Sequence, residues 1–583
     1  MAELDSYPQL KPESLHDYFK EQIVLLYYNL TRKNAMDGEL QKLSFSFTSL
    51  LQQLKMACKK DSSLETYVEF IFKMIAETRD SFYGKGEHDL SYMLLFHFYK
   101  YYPVLASYLI YKFVKPLENG SLGKLGYGSW RDMKYLCQYV LENSNKKEKD
   151  PIIEICVELI TNTLKTDLDI VSKLQKEFPD GNINYREHLS SLVKWIPREN
   201  KKFDWLNELC VIRWFNTYRP DFFGKVTCYE GYYMALDKAK MIYRKMLARI
   251  NRYLDTTEIK LCENQVNNIQ PKNVPQLCMN NYHHLFLNDS LKKKHLLSAF
   301  NNENMVGYQS MKDHFHEKYV LNKEGPFEFG REHSMYVPNS GKLSYFIREA
   351  YNLIENYSYY NNQEVRIDLL NNQWNQMSEM IGSKRLESFI PLLDLSFHHD
   401  KESLYSGIAL AFLISEHSSY KYRILVIDQQ PLWVNLDKQD TFFSRMLVFN
   451  KIIRSYQGTY SNFIRGVELI VESFIETSTL YKLPGTTLVI LHGENLVEYK
   501  KVLDIFYNKG IQCCRFIYWN LSKKYIPSIV LDKQIFYLSG VSSFLLSNLY
   551  LINKNKGIDA FQFISAILGK VYYDDIKISR FIL

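Results

Sequence analysis

Apolar positions in the first half of the chain recur at spacings of three and four, and strict alternation is scarce, which is the signature of successive amphipathic helices. The pattern predicts helices over residues 14–29, 40–58, 64–76, 90–98, 104–114, 130–142, 152–174, 185–193, 203–214 and 232–254. Turn residues punctuate them at Gly84-Lys85-Gly86, Pro116 to Gly120, Pro179-Asp180-Gly181 and Pro271. No exact internal repeat is present, but a run of paired helices this long points to a solenoid-like arrangement. Residues 300–380 are rich in Asn, Tyr and Gly and read as an extended connection carrying helices at 343–354 and 363–380.

From Leu386 the pattern changes. Short apolar runs at 389–395, 422–428, 486–491, 512–519 and 535–538 alternate with helical patterns at 403–416, 441–455, 462–476, 496–508 and 542–551. Strands alternating with helices predict a mostly parallel sheet covered on both faces. Ligands of such sheets bind at the carboxyl ends of the strands, and Asp394 stands at one such end.

Length and composition fit this division. A chain of 583 residues exceeds a single core, and 46% hydrophobic with 15% aromatic residues lies far from the disordered class. Nine scattered cysteines form no C-x-x-C pair, as expected of buried free thiols in a reducing compartment. The acidic, polar start is not that of a signal peptide, and the apolar stretch 92–114 carries His97, Lys100, Pro103 and Lys112, which a membrane span would not. No membrane association is expected, and the expected location is the cytoplasm, or a virion if the source is viral.

Net charge is only +7, but it is unevenly placed. Residues 201–300 hold 16 Lys and Arg against 9 Asp and Glu, residues 501–583 hold 11 against 5, and residues 301–400 hold 9 against 14. On the helix 232–254, Lys238, Lys245, Arg249 and Arg252 fall on one side, and Ala239, Ile242, Met246, Ile250 and Tyr253 on another. Such a stripe is suited to phosphates or is simply a solvated face. Lys194, Arg198, Lys201 and Lys202 form a second basic cluster, and Lys292-Lys293-Lys294 a third.

Catalytic signatures are missing. The chain has no G-x-x-x-x-G-K-[ST] loop, no G-x-G-x-x-G after a strand, no G-x-S-x-G and no H-E-x-x-H. The adjacent pairs His283-His284 and His398-His399 diverge on any regular element and do not chelate one metal together.

The C-terminal half resembles a von Willebrand factor A domain. Asp394 and Ser396 match the start of its Asp-x-Ser-x-Ser loop, with His398 at the last position. Gly458 to Phe463 resembles its threonine-bearing loop, with Ser461 offering the hydroxyl, and Leu488 to Gly493 resembles its fourth strand, with His492 where an aspartate belongs. The resemblance implies a divalent-cation site, for Mg²⁺, made of Asp394, Ser396, His398, Ser461 and His492, and a protein partner engaging it. Two imidazoles replace oxygen ligands that a hard cation prefers, so the site reads as degenerate and commits the chain to no cofactor.

The N-terminal half resembles the TROVE helical module of Ro-type ribonucleoproteins. Thr78-Arg79-Asp80 with Gly84-Lys85-Gly86-Glu87, Leu125 to Asp132, Lys194-Trp195-Ile196-Pro197-Arg198, Tyr243-Arg244, Glu258 and Val274-Pro275 follow in order, and Trp519-Asn520 and Leu538-Ser539-Gly540 fit the terminal strands. The likeness spans roughly residues 65–555 and is nearest an uncharacterised branch with plant, protist, bacterial and large DNA virus members.

It implies an α-helical repeat, HEAT-like and ring-forming, followed by an α/β von Willebrand factor A-like, Rossmann-type domain. The expected divisions are 1–60 for N-terminal helices, 61–300 for the helical-repeat domain, 301–383 for the connection and 384–583 for the A-like domain. The implied function is a non-catalytic scaffold binding structured or 3′-tailed RNA through Lys194, Arg198, Lys201, Lys202, Lys238, Lys245, Arg249, Arg252, Lys292, Lys293 and Lys294. The alternative is a structural or protein-interaction component, for example of a large DNA virus particle, that has lost RNA. Trp130, Trp195 and Pro197 read first as packing residues, and Arg79, Asp80, Arg131 and Asp132 as ion pairs between helices.

Overall fold

The structure, a computed structural model, describes residues 14–32, 38–80, 83–115, 126–179, 183–224, 229–254, 256–263, 269, 340–355, 363–381, 386–395, 400–454, 462–492, 499–530, 532–554, 557–569 and 573. It is mostly helical, with a six-stranded mixed sheet near the C-terminus.

In chain order the helices are α1 (Leu15–Asn29), α2 (Glu39–Cys58), α3 (Glu65–Arg79), α4 (His88–Tyr101), α5 (Pro103–Val114), α6 (Trp130–Asn143), α7 (Pro151–Glu177), α8 (Leu192–Trp195), α9 (Asp204–Tyr218), α10 (Asp221–Gly224), α11 (Tyr229–Tyr253) and α12 (Thr257–Cys262). They continue with α13 (Ser340–Glu355), α14 (Gln363–Ile381), α15 (Lys401–His417), α16 (Phe442–Ile453), α17 (Phe463–Glu476), α18 (Tyr499–Asn508), α19 (Ser543–Leu546), α20 (Tyr550–Lys554) and α21 (Ala560–Leu568). The strands are β1 (Phe389–Asp394), β2 (Arg423–Ile427), β3 (Leu432–Asn435), β4 (Thr487–His492), β5 (Arg515–Asn520) and β6 (Ile535–Ser539).

By its internal contacts the chain divides into two compact units. One is made of Met1–Leu105, Val337–Tyr359 and Gln373–Leu583, the other of Ala106–Tyr336 and Tyr360–Asn372.

In the first unit the strand order is β3-β2-β1-β4-β5-β6, with every pair parallel except β2 with β3. This is the spatial order of doubly wound sheets, whose ligand crevice opens where the order reverses, between β1 and β4. Every residue of β1, β4 and β6 is buried, as a sheet covered on both faces requires. Edge strand β3 buries only Val434, with Leu432 and Asn435 exposed. It is short and follows Pro431, which is why no periodicity announces it. The N-terminal helices belong to this unit. Helix α1 starts at Ser14, whose hydroxyl accepts from the Asp17 amide at 3.2 Å. Its second half, Ile23 to Asn29, is buried on all sides against β6 and α21.

The second unit is built on α6, α7 and α9 packed in sequence, with α11 laid across α9. Helix α7 begins with Asp150, which accepts from the Ile152 amide at 3.0 Å, followed by Pro151 in the first turn. Cys137, Cys156 and Cys210 meet where the three packed helices join, and burial pushes the Cys137 and Cys210 thiols up. The cysteines that the structure describes are free thiols, as their spacing predicted. The helix expected over residues 185–193 is instead a single tight turn, Tyr185–Glu187, followed by α8. Ser190 is the cause: its amide and hydroxyl both bond Asp167 of α7, at 3.0 and 2.5 Å, and that pulls the backbone out of a helical path. The helix expected over 542–551 likewise breaks into α19 and α20 around the turn bonds of Asn548 and Leu549. Among the described residues no helix is long and apolar enough to cross a membrane.

Candidate functional site

Sheets of this kind bind ligands at their carboxyl edge, and the chain's own N-terminal segment covers that edge at β4, β5 and β6. Strands β1, β4, β5 and β6 end at Asp394, His492, Asn520 and Ser539, all buried. Against β4, β5 and β6 lies the end of α1. The Tyr28 hydroxyl meets His492 Nε2 at 2.5 Å, and Asn520 donates from Nδ2 to the Tyr28 carbonyl at 2.9 Å. The Ser539 hydroxyl donates to the Tyr27 carbonyl. Asn29 forms a two-way bridge with Ile526, at 2.8 Å in each direction, and Thr31 donates to the Ser522 carbonyl at 2.5 Å.

Lys85 enters the same cluster from the loop after α3. The loop is closed by three backbone bonds, Lys85 to Glu77, Gly86 to Asp80 and Glu87 to Thr78. Gly84 permits this turn, because a Cβ there would collide with the Glu77 carbonyl. The Lys85 ammonium then donates to Ser539 Oγ at 2.7 Å, stands 3.8 Å from the centre of the Tyr27 ring and 3.9 Å from Glu77 Oε2. Burial pushes the Glu77 carboxyl up to about 7 and the Lys85 ammonium down to about 8, with their mutual attraction opposing both shifts. Burial alone pushes His492 down to about 4, so its ring is neutral at pH 7. Its Nδ1 is buried with no hydrogen-bond partner, whichever tautomer is present. Four segments that stood out in the sequence, 78–80, 84–87, 519–520 and 538–540, therefore meet at one buried point. Arg79, Asp80 and Lys85 are structural there, with Asp80 accepting from the Tyr573 hydroxyl at 2.9 Å.

Of the expected cation ligands, Asp394 and His492 lie among the described residues, while Ser396, His398 and Ser461 lie outside them. The ladder pairs Leu393 with Leu491, which puts Asp394 and His492 at the next step of adjacent strands. His492 spends its Nε2 on Tyr28. Among the described residues no group of three or more His, Cys, Asp or Glu side chains is arranged to hold a metal ion.

The second unit carries a different kind of site. A groove of about 740 Å³ runs along α11, walled on its other side by the segment after α8 and by α12. Six cations line it, Lys194, Arg198, Lys201, Lys240, Arg244 and Arg252, against two carboxylates, Glu199 and Glu263. Arg244 bonds Glu199 at 2.9 Å and Lys240 bonds Glu208 at 2.7 Å, so two of the cations are held in place by anions and the wall keeps a positive excess. Tyr243 lines the groove at 1% exposure, and its hydroxyl has no hydrogen-bond partner. A buried hydroxyl left unpaired costs about 1–3 kcal/mol.

Aromatic rings are interleaved with the cations beside the groove. Lys134 sits 5.2 Å from the Trp195 ring and 5.4 Å from Phe203, Arg131 sits 4.8 Å from Tyr135, and Lys202 lies 5.6 Å from Tyr135. Burial, then Arg131 and Arg198, push the Lys134 ammonium down, which reports the positive field at this wall. Trp130 and Pro197 are buried packing residues, and Asp132 caps α6 by accepting from the Ser129 amide at 2.7 Å.

The groove gathers Lys194, Arg198, Lys201 and Arg252 from two of the basic clusters expected from sequence. Lys202, Lys238, Lys245 and Arg249 are exposed outside its lining, with Arg249 donating to Gln175 at 3.1 Å. Lys292, Lys293 and Lys294 lie outside the described residues. Sequence reasoning missed Lys240, and it read Tyr243 and Arg244 only as part of a motif. The usable signal was the four-residue spacing of Lys240 and Arg244, a second stripe on the same helix.

Compared with known proteins, the chain matches no family model, no curated protein and no solved structure.

Proposed function

We propose that this protein is a non-catalytic RNA-binding scaffold whose second unit takes the RNA backbone in the groove along α11. The observation that carries the reading is the convergence of Lys194, Arg198, Lys201, Lys240, Arg244 and Arg252 around one groove. Phosphate oxygens accept hydrogen bonds and carry negative charge, so they suit the cations. Neighbouring aromatic faces beside cations are what unpaired bases use. The resemblance to Ro-type ribonucleoproteins supports the same ligand class. It also supports a HEAT-like, ring-forming arrangement for the helical part and a von Willebrand factor A-like ancestry for the sheet.

A purely structural role is the competing reading, and one observation favours it: at the sheet edge, where an α/β domain would bind a ligand, the ends of β4, β5 and β6 are covered by α1 and Lys85. The two readings separate on a binding measurement. The full chain is titrated into 3′-tailed RNA at salt between roughly 50 and 200 mM. The RNA reading expects affinity that falls steeply with salt, with a log–log slope of about −2 to −4 for a single strand contacting the groove. No binding at low salt leaves the structural role.

A further inference from the structure

Helix α11 continues past the basic groove to an exposed cluster of aromatic rings. At 100° per residue, Tyr229, Tyr233, Lys240, Arg244 and Asn251 fall within about 60° of one another around the helix. One face of α11 thus carries the groove wall at its C-terminal end and a tyrosine pair at its N-terminal end, over a length of about 33 Å. Tyr229 is 77% exposed and Tyr233 48% exposed. Their ring centres are 4.8 Å apart and their hydroxyls 2.9 Å apart, so each fixes the other. The pair is backed by a chain of rings that leads to the core: Tyr233 to Tyr232 at 5.9 Å, Tyr232 to Phe223 at 5.7 Å, Phe223 to Phe222 at 5.3 Å and Phe222 to buried Phe215 at 4.4 Å. These are not loose surface tyrosines but the outer end of a chain of edge-on and tilted rings.

We propose that Tyr229 and Tyr233 form a platform on which unpaired RNA bases stack, in line with the phosphate-binding groove on the same helix face. The proposal rests on the RNA reading of the groove and adds the form of RNA preferred, single-stranded over duplex. Stacking needs an exposed, rigid π face, which the backed tyrosines supply. It also needs a nearby positive track that holds the backbone, which Lys240 and Arg244 begin about two turns further along. Bases in a duplex are already stacked on each other and have no free face to offer. A protein partner would equally cover exposed rings, but the positive groove continuous with them favours a polyanion that also carries aromatic faces.

The test uses the full chain with an oligouridylate of about 15 nucleotides and a duplex RNA of similar length as probes. Tyr229→Ala with Tyr233→Ala is expected to weaken oligouridylate binding about tenfold or more, with the salt slope and the duplex affinity unchanged, because stacking releases no counterions. Tyr229→Phe with Tyr233→Phe keeps the rings and is expected to bind within about twofold of wild type, which controls for folding. If wild type binds oligouridylate with a steep salt slope and the alanine pair binds equally well, the platform is refuted and the groove stands. An alanine pair that leaves RNA binding intact but abolishes capture of a protein also refutes it, in favour of a protein-docking face. If wild type binds no RNA at low salt, groove and platform fall together.

Discussion

The Tyr28 hydroxyl and His492 Nε2 lie 2.5 Å apart, buried, across 464 residues of sequence. His492 ends β4 at the point where a doubly wound sheet opens its ligand crevice, and Tyr28 comes from the last turn of α1. A neutral imidazole suits this bond, and burial holds it neutral. Tyr28→Phe is expected to lower stability by about 1–3 kcal/mol, since it leaves a second ring nitrogen of His492 unpaired. Pairing it with His492→Leu should recover part of that loss. Urea unfolding of the two single variants and the double variant measures the coupling, and additive effects would mean that the contact does not tie α1 to the sheet.

Acid should test the buried histidines of the same unit with a defined sign. His492 and His97 are both held down to about 4 by burial, against an ordinary 6.5. The unfolded chain therefore binds protons that the folded one refuses. Their contribution is fully present above about 6.5 and is lost as pH falls towards 4, of order 3 kcal/mol for His492. Glu77 acts in the opposite direction. Its folded pKa is raised to about 7, so its contribution is present below about 4.5 and is lost as pH rises through 7. The two partly cancel between pH 4 and 7. Glu77→Gln removes one side, and its melting temperature is expected to fall more steeply with acid than that of the wild type. Parallel profiles would contradict the assignment.

How much of this was legible beforehand follows from range. The helices of the first half and most strands of the second follow from local periodicity, and α7 and α11 differ from expectation only at their ends. Strand β3 was missed because four residues on a sheet edge leave no period. The break before α8 depends on Ser190 reaching Asp167, a contact that local pattern does not record. The same applies to the covered sheet edge. Nothing near His492 in sequence names Tyr28, and nothing near Ser539 names Lys85. In the second unit, cation clusters at 194–202 and 238–252 were visible as charge, but which of them share a wall depends on how α8 meets α11.

Tyr243 gives a variant whose stability and binding should separate. Removing a buried hydroxyl that has no partner relieves a penalty, so Tyr243→Phe is expected to be neutral or to raise stability by up to about 1 kcal/mol. RNA affinity should stay within about twofold of wild type, because the hydroxyl is buried on the Cys210 side of the ring. Thermal melting and RNA titration of one preparation check both. A destabilised variant would mean that the hydroxyl has a structural partner.

Divalent cations are expected to leave the protein's melting temperature unchanged. His492 already bonds Tyr28 and stands where a carboxylate would be needed. A ligand that binds only the folded state must raise its stability, so scanning with millimolar Mg²⁺ and with chelator is a direct check. A rise of several degrees with Mg²⁺ would restore the cation site.

The most direct measurement of the central claim is the salt dependence of RNA binding by wild type and by Arg198→Gln with Arg244→Gln. Both positions line the groove, and Arg198 is exposed, so folding should tolerate its change. The account predicts steep salt dependence for wild type, and for the variant an affinity lower by about tenfold with a slope shallower by about one to two. Wild-type binding that is absent, or flat in salt, or a variant indistinguishable from wild type, would contradict it.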